Sequence, residues 1–320
     1  MKIGVTGVGG AAGVVVSKYL KREGFYIVGM DADRLSAGFK FCDVFYTIPL
    51  ATDSSFIDKL TTICKKESIN ILIPTVDEEL LPIAENKSLF EDIHVTVIIS
   101  EANVIKDVLD KYECYKKLKK INIPVPKTWL LEEVNTNSLE YPVVVKPRKG
   151  RGSRGVFICE NQNDLEYALK KLKNPIIQEY ICGKEYTIDT LSDFSGKPIV
   201  VIPRERIEIK GGVSWKGRTV KNENIVSIAM KLLKELKFYG PTCIQAIVGS
   251  DNTPKIIEIN PRFGGTTSLT IESGVNTPLL AIKLALGQTI EEQELIYKPK
   301  YIARYFEDVF FEPEEVAEVE

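Results

Sequence analysis

Cys243-Ile244-Gln245-Ala246-Ile247-Val248-Gly249-Ser250-Asp251-Asn252-Thr253-Pro254-Lys255-Ile256-Ile257-Glu258-Ile259-Asn260 carries two apolar runs on either side of a turn-rich segment, Gly249–Pro254. The pattern predicts an antiparallel hairpin. Centring its turn between Asp251 and Asn252 sets Gln245 opposite Glu258, where direct cross-strand neighbours bring Cβ atoms to about 5 Å. Glu258 and Asn260 stand two apart and so share a face. That face offers one carboxylate and two amide oxygens. Such hard donors suit Mg2+, which takes few protein ligands and completes its sphere with water and substrate phosphates. Mn2+ is the alternative metal for the same oxygens. Arg262, just beyond, would put a guanidinium beside those phosphates. The competing reading is a solvated polar face on an edge hairpin.

Outward from the hairpin, Phe263-Gly264-Gly265-Thr266-Thr267-Ser268 reads as a close-approach loop. Upstream, strands at Glu185–Leu191 and Ile199–Ile207 and a helix at Glu223–Leu236 predict antiparallel strands with helices on one side. Between them, Arg204, Arg206 and Arg218 surround Lys210-Gly211-Gly212-Val213-Ser214-Trp215-Lys216-Gly217. That basic segment reads either as a binding loop for an acidic substrate or as a solvated loop. Further upstream, strands Val143–Lys146 and Val156–Cys159 flank Arg148–Gly155, which holds three glycines and four cations. Amides of such a loop can cradle phosphate oxygens while Lys146 supplies a point charge. It is not a Walker A loop, because Val156 follows Gly155. A flexible basic surface hairpin is the alternative. A helix at Asn163–Lys173 and a strand at Ile176–Tyr180 complete a small α+β unit.

The first hundred residues follow another rhythm. Ile3–Thr6, Tyr26–Met30, Val44–Ile48, Ile69–Ile73 and Val95–Ile99 read as strands, with helices at Gly13–Glu23, Ser55–Glu67 and Ala84–Phe90. Near-continuously apolar strands alternating with helices predict a parallel sheet covered on both faces. A helix over Glu101–Lys120 follows, and Pro124 and Pro126 stop it. Gly7-Val8-Gly9-Gly10-Ala11-Ala12, with Asp31 ending the second strand, fits a dinucleotide fingerprint, but a tight strand-to-helix turn is the favoured reading because the downstream motifs leave an NAD enzyme unsupported. Its helix N-terminus favours an anionic group such as a carboxylate. Asp77-Glu78-Glu79, at a carboxyl strand end, reads as an acid cluster opening a helix, with a site for an amine as the alternative.

Composition excludes several classes. The 320 residues carry 42 cationic against 44 acidic side chains, so no global basic field exists to hold a nucleic acid. One histidine, His94, leaves no Ser-His-Asp triad or three-His zinc site. Six scattered cysteines without a CxxC pair point to a reducing cytoplasm. No apolar run approaches the ~20 residues that span a bilayer. Chemistry must come from Lys, Arg, carboxylates and amides.

Four features in order resemble the ATP-grasp superfamily, most closely the branch like the carbamoyl phosphate synthase large subunit. They are Asp110-Lys111-Tyr112, the run VVVKPRKGRGSRG, Gln178–Glu185, and Gln245 with Glu258-Ile259-Asn260-Pro261-Arg262. The resemblance spans about Lys111 to Leu286. It implies a Rossmann-like pre-ATP-grasp domain over 1–105, a small subdomain over 106–184 with a lid at 148–155, and a large subdomain over 185–320. Lys111 and Lys146 match the lysines on the ATP phosphates, and Gly150–Gly155, with Gly152 and Ser153, matches the closing loop. Glu179 and Ile181 match the adenine hinge, and Glu185 the acid on the ribose. Gln178 stands where many relatives carry an acid facing the adenine amino group, and an amide oxygen can accept that bond. Gln245, Glu258 and Asn260 match the Mg2+ ligands, and Arg262, with Lys146, the catalytic cations. The implied reaction is ATP-dependent ligation of a small-molecule carboxylate to an amine or thiol through an acyl phosphate, by a monomer or a homo-oligomer. The chain holds one such module where the synthase subunit resembles two, so a nucleotide-binding subunit of a split synthase is the alternative.

Overall fold

Ile27 and Val28 turn to opposite faces of one strand, and both are fully buried. A strand apolar on both faces needs cover on each side. A computed structural model of the chain describes every residue except Arg151, Ser153 and 317–320. Strands β1 (Lys2–Thr6), β2 (Tyr26–Asp31), β3 (Val44–Thr47), β4 (Ile71–Ile73) and β5 (Thr96–Val97) form a parallel sheet in the order β3-β2-β1-β4-β5. Val28 and Leu72 face a core closed by Leu60 of α2 (Phe56–Glu67), Ile83 of α3 (Asp77–Glu85), Phe90 of α4 (Lys87–Glu91) and Ile105 of α5 (Ala102–Leu109). Ile27 and Ile71 face a second core with Val16 and Leu20 of α1 (Ala11–Arg22). That second core continues into Leu191, Phe263 and Leu280, so the first unit of the chain shares an interior with the last.

Two predicted helices divide. The segment read as one helix over Ala84–Phe90 contains the end of α3 and all of α4 but its last residue, with Asn86 between them. Asp77, Glu78 and Glu79 form the first turn of α3, as expected of an acid cluster at a helix N-terminus. The helix expected over Glu101–Lys120 is two helices, α5 and α6 (Lys111–Lys120), parted at Asp110. Asp110 is extended there, and its carboxylate accepts from the Tyr112 and Glu113 amides. A short side chain that caps a new helix ends the old one.

The small α+β unit is antiparallel, with β6 (Thr128–Trp129), β7 (Val143–Pro147), β8 (Phe157–Cys159) and β9 (Pro175–Glu179) ordered β6-β9-β7-β8. Leu165 and Ala168 of α7 (Gln162–Lys171) cover Val143, Val145 and Ile177. The large sheet runs β14-β13-β10-β11-β12-β15 from β10 (Lys184–Ser192), β11 (Pro198–Lys210), β12 (Val213–Thr219), β13 (Gly240–Val248), β14 (Pro254–Asn260) and β15 (Tyr301–Ala303). Helix α8 (Glu223–Leu236) presents Ile225, Leu232 and Leu233 to Ile188, Ile244 and Ile256.

The decisive hairpin has the expected register in its outer half: Cys243 pairs with Asn260, and Gln245 with Glu258. Nearer the turn the register slips, so that Ala246 meets Ile256 and Ile257 is an extra residue. A bulge of this kind breaks the pleat and frees a backbone group. The segment read as a Gly-rich loop over Lys210–Gly217 is a second hairpin. Lys210 pairs with Val213 across Gly211 and Gly212, whose φ values are +56° and +76°. Two consecutive residues at positive φ make a type I′ turn, which glycines form without strain.

Candidate active site

The hinge Tyr180–Gly183 joins β9 to β10, and a cavity of about 320 Å3 lies beside it, between the small unit and the β13–β14 hairpin. Lys111, Lys146, Gln178, Glu179, Ile181 and Glu185 all line it. A second cavity of about 190 Å3 lies towards the N-terminal sheet and is lined by Gly152, Asn260 and Arg262. Gln245 and Glu258 line both cavities. Ser153 lies outside the described residues.

Lys146 is the last residue but one of strand β7 and is only 8% exposed. Its Nζ donates to Gln178 Oε1 at 2.9 Å and to the carbonyl of the bulge residue Ile257 at 3.4 Å. Burial pushes its ammonium down to about 8, against the pull of Glu258 and with Lys111 adding to the fall. Gln178 is fixed at its other end, where Nε2 donates to Thr128 Oγ1 at 2.8 Å. Its amide oxygen is therefore engaged by Lys146, a partner the sequence did not reveal. The Glu179 carboxylate accepts from the Lys127 amide at 2.9 Å and pairs with Lys255 at 3.3 Å.

Lys111 opens α6 and donates to the Gly150 carbonyl at 2.7 Å, with Glu258 3.8 Å away. Arg148, one of the four cations of the loop, turns to the start of α6. Its Nε meets both Asp110 oxygens, at 2.7 and 2.8 Å. Burial works against the Asp110 carboxylate, but Arg148 and the two capped amides outweigh it and lower its pKa. The base of the loop and the start of α6 are tied together by that carboxylate.

The arginines of the second cavity are all engaged. Arg204 is fully buried and bidentate to Asp189, at 2.7 and 2.9 Å. Arg206 pairs with Glu185 and donates to the Gly212 carbonyl. Arg262 donates to Asp77 at 2.9 Å, joining the large unit to α3 of the first. Burial opposes the charge of Arg262, but Asp77, Cys243 and Glu258 hold its pKa above the ordinary value. Of the three arginines in the basic segment, Arg204 and Arg206 are buried in the wall of the second cavity, whereas Arg218 lies outside it, partly exposed and paired with Glu205. Asp77 and Asp189 were missed as partners. Asp77 lies 185 residues from Arg262, and no local pattern signals such a pair.

Cys243 also lines the second cavity, and burial pushes its thiol up to about 11, so it stays protonated at neutral pH. Asp31 accepts from the Gly9 amide at 2.7 Å and from the Asp33 amide at 3.0 Å, which commits it to its own loop. A Cβ on Gly9 would meet Ser36 Oγ at 2.3 Å, so this glycine makes room for the segment that carries Ser36. Gly10 and Ala11, at the start of α1, line the second cavity with Thr75 and Asp77, at the carboxyl ends of β1 and β4. Open parallel sheets bind ligands at that place.

Among the described residues no three His, Cys, Asp or Glu side chains gather at one point. The oxygen set on the hairpin is Glu258 with the amides of Gln245 and Asn260, all lining the second cavity. It fits a cation held mainly by phosphate and water. No helix among the described residues is long and apolar enough to cross a membrane.

Residues 108–266 match the model of the ATP-grasp domain, and residues 3–98 that of the PylC-like N-terminal domain. The carbamoyl phosphate synthase large chain of Pyrococcus furiosus is 23% identical over 320 residues, which cover 91% of this chain and 30% of the relative. The chain thus spans under a third of that curated protein. Among solved structures, a carboxyaminoimidazole ribonucleotide synthase from Aspergillus clavatus, complexed with ATP, superposes with a TM-score of 0.77 at 17% identity, covering 94% of this chain and 80% of that one. The biotin carboxylase domain of Hydrogenobacter thermophilus 2-oxoglutarate carboxylase, a dimer with MgADP and bicarbonate, gives 0.72 at 20% identity, covering 94% and 73%. With both matched domains in sequence and the fold common to these proteins, the chain belongs to the ATP-grasp superfamily of ligases.

Proposed function

We propose that the chain is an ATP- and Mg2+-dependent ligase that joins a small-molecule carboxylate to an amine or thiol through an acyl phosphate. One observation carries the reading: the nucleotide-sized cavity at the hinge and the arginine-walled cavity at the α1 N-terminus meet at Gln245 and Glu258. Phosphates entering from the first side reach a carboxylate entering from the second. In the first cavity, the Ile181 backbone takes adenine, Glu185 the ribose, and Lys111 and Lys146 the phosphates. In the second, Arg262 and the α1 N-terminus hold the acceptor carboxylate. Mg2+ held by Glu258, Gln245 and Asn260 would neutralise phosphate charge. A carboxylate oxygen attacks the γ-phosphorus, the bond to ADP breaks with its electrons leaving on ADP, and an acyl phosphate forms. The nucleophile then attacks the acyl carbon, phosphate departs, and the nucleophile's proton passes to solvent. Holding reactants in line and stabilising charge supply most of the rate in such transfers.

The test is ADP release from purified protein against a panel of carboxylates and amines. Glu258→Gln should lower it on the order of a hundredfold, the scale of one lost electrostatic group, with the circular dichroism unchanged. Near-wild-type release by that variant would remove the metal assignment. The limited span against the synthase large chain favours a second reading, a nucleotide-binding subunit that needs a partner. Turnover by the chain alone decides against it.

A further inference from the structure

We propose that a third cavity seats the nucleophile, that it takes a primary amine with an aliphatic body, and that Asp77 is the residue that binds the ammonium. The proposal rests on the ligase reading above and narrows its second substrate from amine or thiol to amine. The cavity has a volume of about 180 Å3, is walled by α3, α5 and β14, and shares Asp77, Glu258 and Asn260 with the second one. The first observation is an orphaned oxygen. Asp77 is 7% exposed. Its Oδ2 accepts from Arg262 Nη2 at 2.9 Å, while its Oδ1 is buried and has no hydrogen-bond partner among the described residues. A buried carboxylate oxygen without a donor is costly, and a ligand that brings a donor removes the cost.

Charge identifies that donor. Asp77 balances the guanidinium of Arg262 in the structure. Nη1 of Arg262 donates to the Phe263 carbonyl at 3.0 Å, and a guanidinium carries further N–H groups for an incoming acid. An acid bound there, as the proposed function has it, sets a second negative charge beside Asp77. The cation then missing is an ammonium, and Oδ1 is the acceptor left for it. A thiol brings no positive charge and donates only weakly. The walls identify the rest of the ligand. Val108 and Leu109 of α5 and Ile259 of β14 give the cavity an apolar side, which suits a carbon chain and disfavours a second charge. Two lysines also line it. Lys111 is turned to the Gly150 carbonyl and Glu258, and Lys149 is exposed, where water screens it. Because Asp77 touches Arg262, an ammonium on Asp77 lies next to an acyl group on Arg262. It gives one proton to solvent, and the freed electron pair attacks the acyl carbon as described above.

Hydroxylamine separates the proposal from the reading beneath it. It is small and uncharged at neutral pH, and it captures an acyl phosphate as hydroxamate without an ammonium site. Hydroxamate formed from ATP, Mg2+ and the panel of carboxylates therefore reports the acyl phosphate alone. Unbranched alkylamines from methylamine to hexylamine, with the matching alkanethiols, probe the third cavity. Wild-type protein should form amides with a KM that falls about three- to fourfold per added methylene until the cavity is full. The thiol of equal length should be poorer in kcat/KM by about tenfold or more. Asp77→Asn should raise the amine KM by about tenfold or more. The same variant removes an anion that competes for Arg262, so its carboxylate KM in the hydroxamate assay should hold or fall. Both KM values rising together would make Asp77 only the partner of Arg262 and overturn the proposal. Thiols that match the amines overturn it, as does wild-type protein that forms hydroxamate but accepts no alkylamine, and neither result depends on the variant folding. An amine KM indifferent to chain length overturns the aliphatic seat. Wild-type protein that forms no hydroxamate from any acid overturns the ligase reading itself, a separate and visible result.

Discussion

Burying an ammonium beside another one is costly, and Lys146 registers the cost. Desolvation first, with Lys111 behind it, brings its pKa to about 8. Below that pH it is charged and would attract the phosphates of the proposed nucleotide; above it the neutral amine would not. ATP-analogue affinity should therefore fall as pH rises through about 8. Bound phosphates restore the charge, so binding just above that pH should take up a proton, visible by calorimetry in buffers of different ionisation heat. Affinity that is flat across this range would contradict the assignment of Lys146 to the phosphates. Gln178→Glu adds a test with a sign. A carboxylate 2.9 Å from the ammonium favours its charged form, so the fall should move up by about one pH unit or more. A downward move would show that Gln178 does not govern Lys146. The lysine was legible in the sequence because a buried strand ends on it beside a glycine loop. Its amide partner was not, since residues 32 apart in sequence meet only through sheet pairing.

At the scale of elements, Asp110 does most with least. It caps α6, ends α5 and anchors Arg148. Asp110→Ala should destabilise the protein by about 1–2 kcal/mol from the lost cap, measured by urea unfolding. It should also weaken analogue binding, because Lys111 and the base of the loop lose their common tie. Weakened stability with unchanged binding would limit Asp110 to the cap. The Asp110-x-x-Glu113 spacing was a readable start signal for a helix, hidden within a longer periodic run. Helix α8 was legible to the residue at both ends, since Asn222 caps it and its apolar stripe is unbroken. The β11–β12 hairpin was not, although Gly-Gly between two alternating runs is a turn signal. Its cations read equally as a binding loop or a solvated one, and long-range pairing buries Arg204 and Arg206 while Lys210 and Lys216 stay exposed. The β14 bulge at Ile257 left no trace in sequence, because a one-residue slip leaves both apolar runs intact.

The whole molecule packs the first unit against the large sheet beside the site. A core running from β1 and β2 through α1 to Leu280 holds the N-terminal crevice against the large sheet, and the Asp77–Arg262 pair crosses the same boundary. The parallel and antiparallel halves were legible from strand patterning, since each is set by local periodicity. Their docking was not, because it depends on pairs far apart in the chain. On the proposed function, two cavities sharing Glu258 let a carboxylate take the γ-phosphoryl group. With the carboxylate that releases ADP in the panel, made with heavy oxygen in its carboxyl group, the liberated phosphate can be weighed by mass spectrometry. Transfer through an acyl phosphate predicts that the phosphate carries a heavy oxygen atom from the acid. Phosphate free of the label, released at the same rate as ADP, would mean that water and not the carboxylate attacks, and would contradict the account.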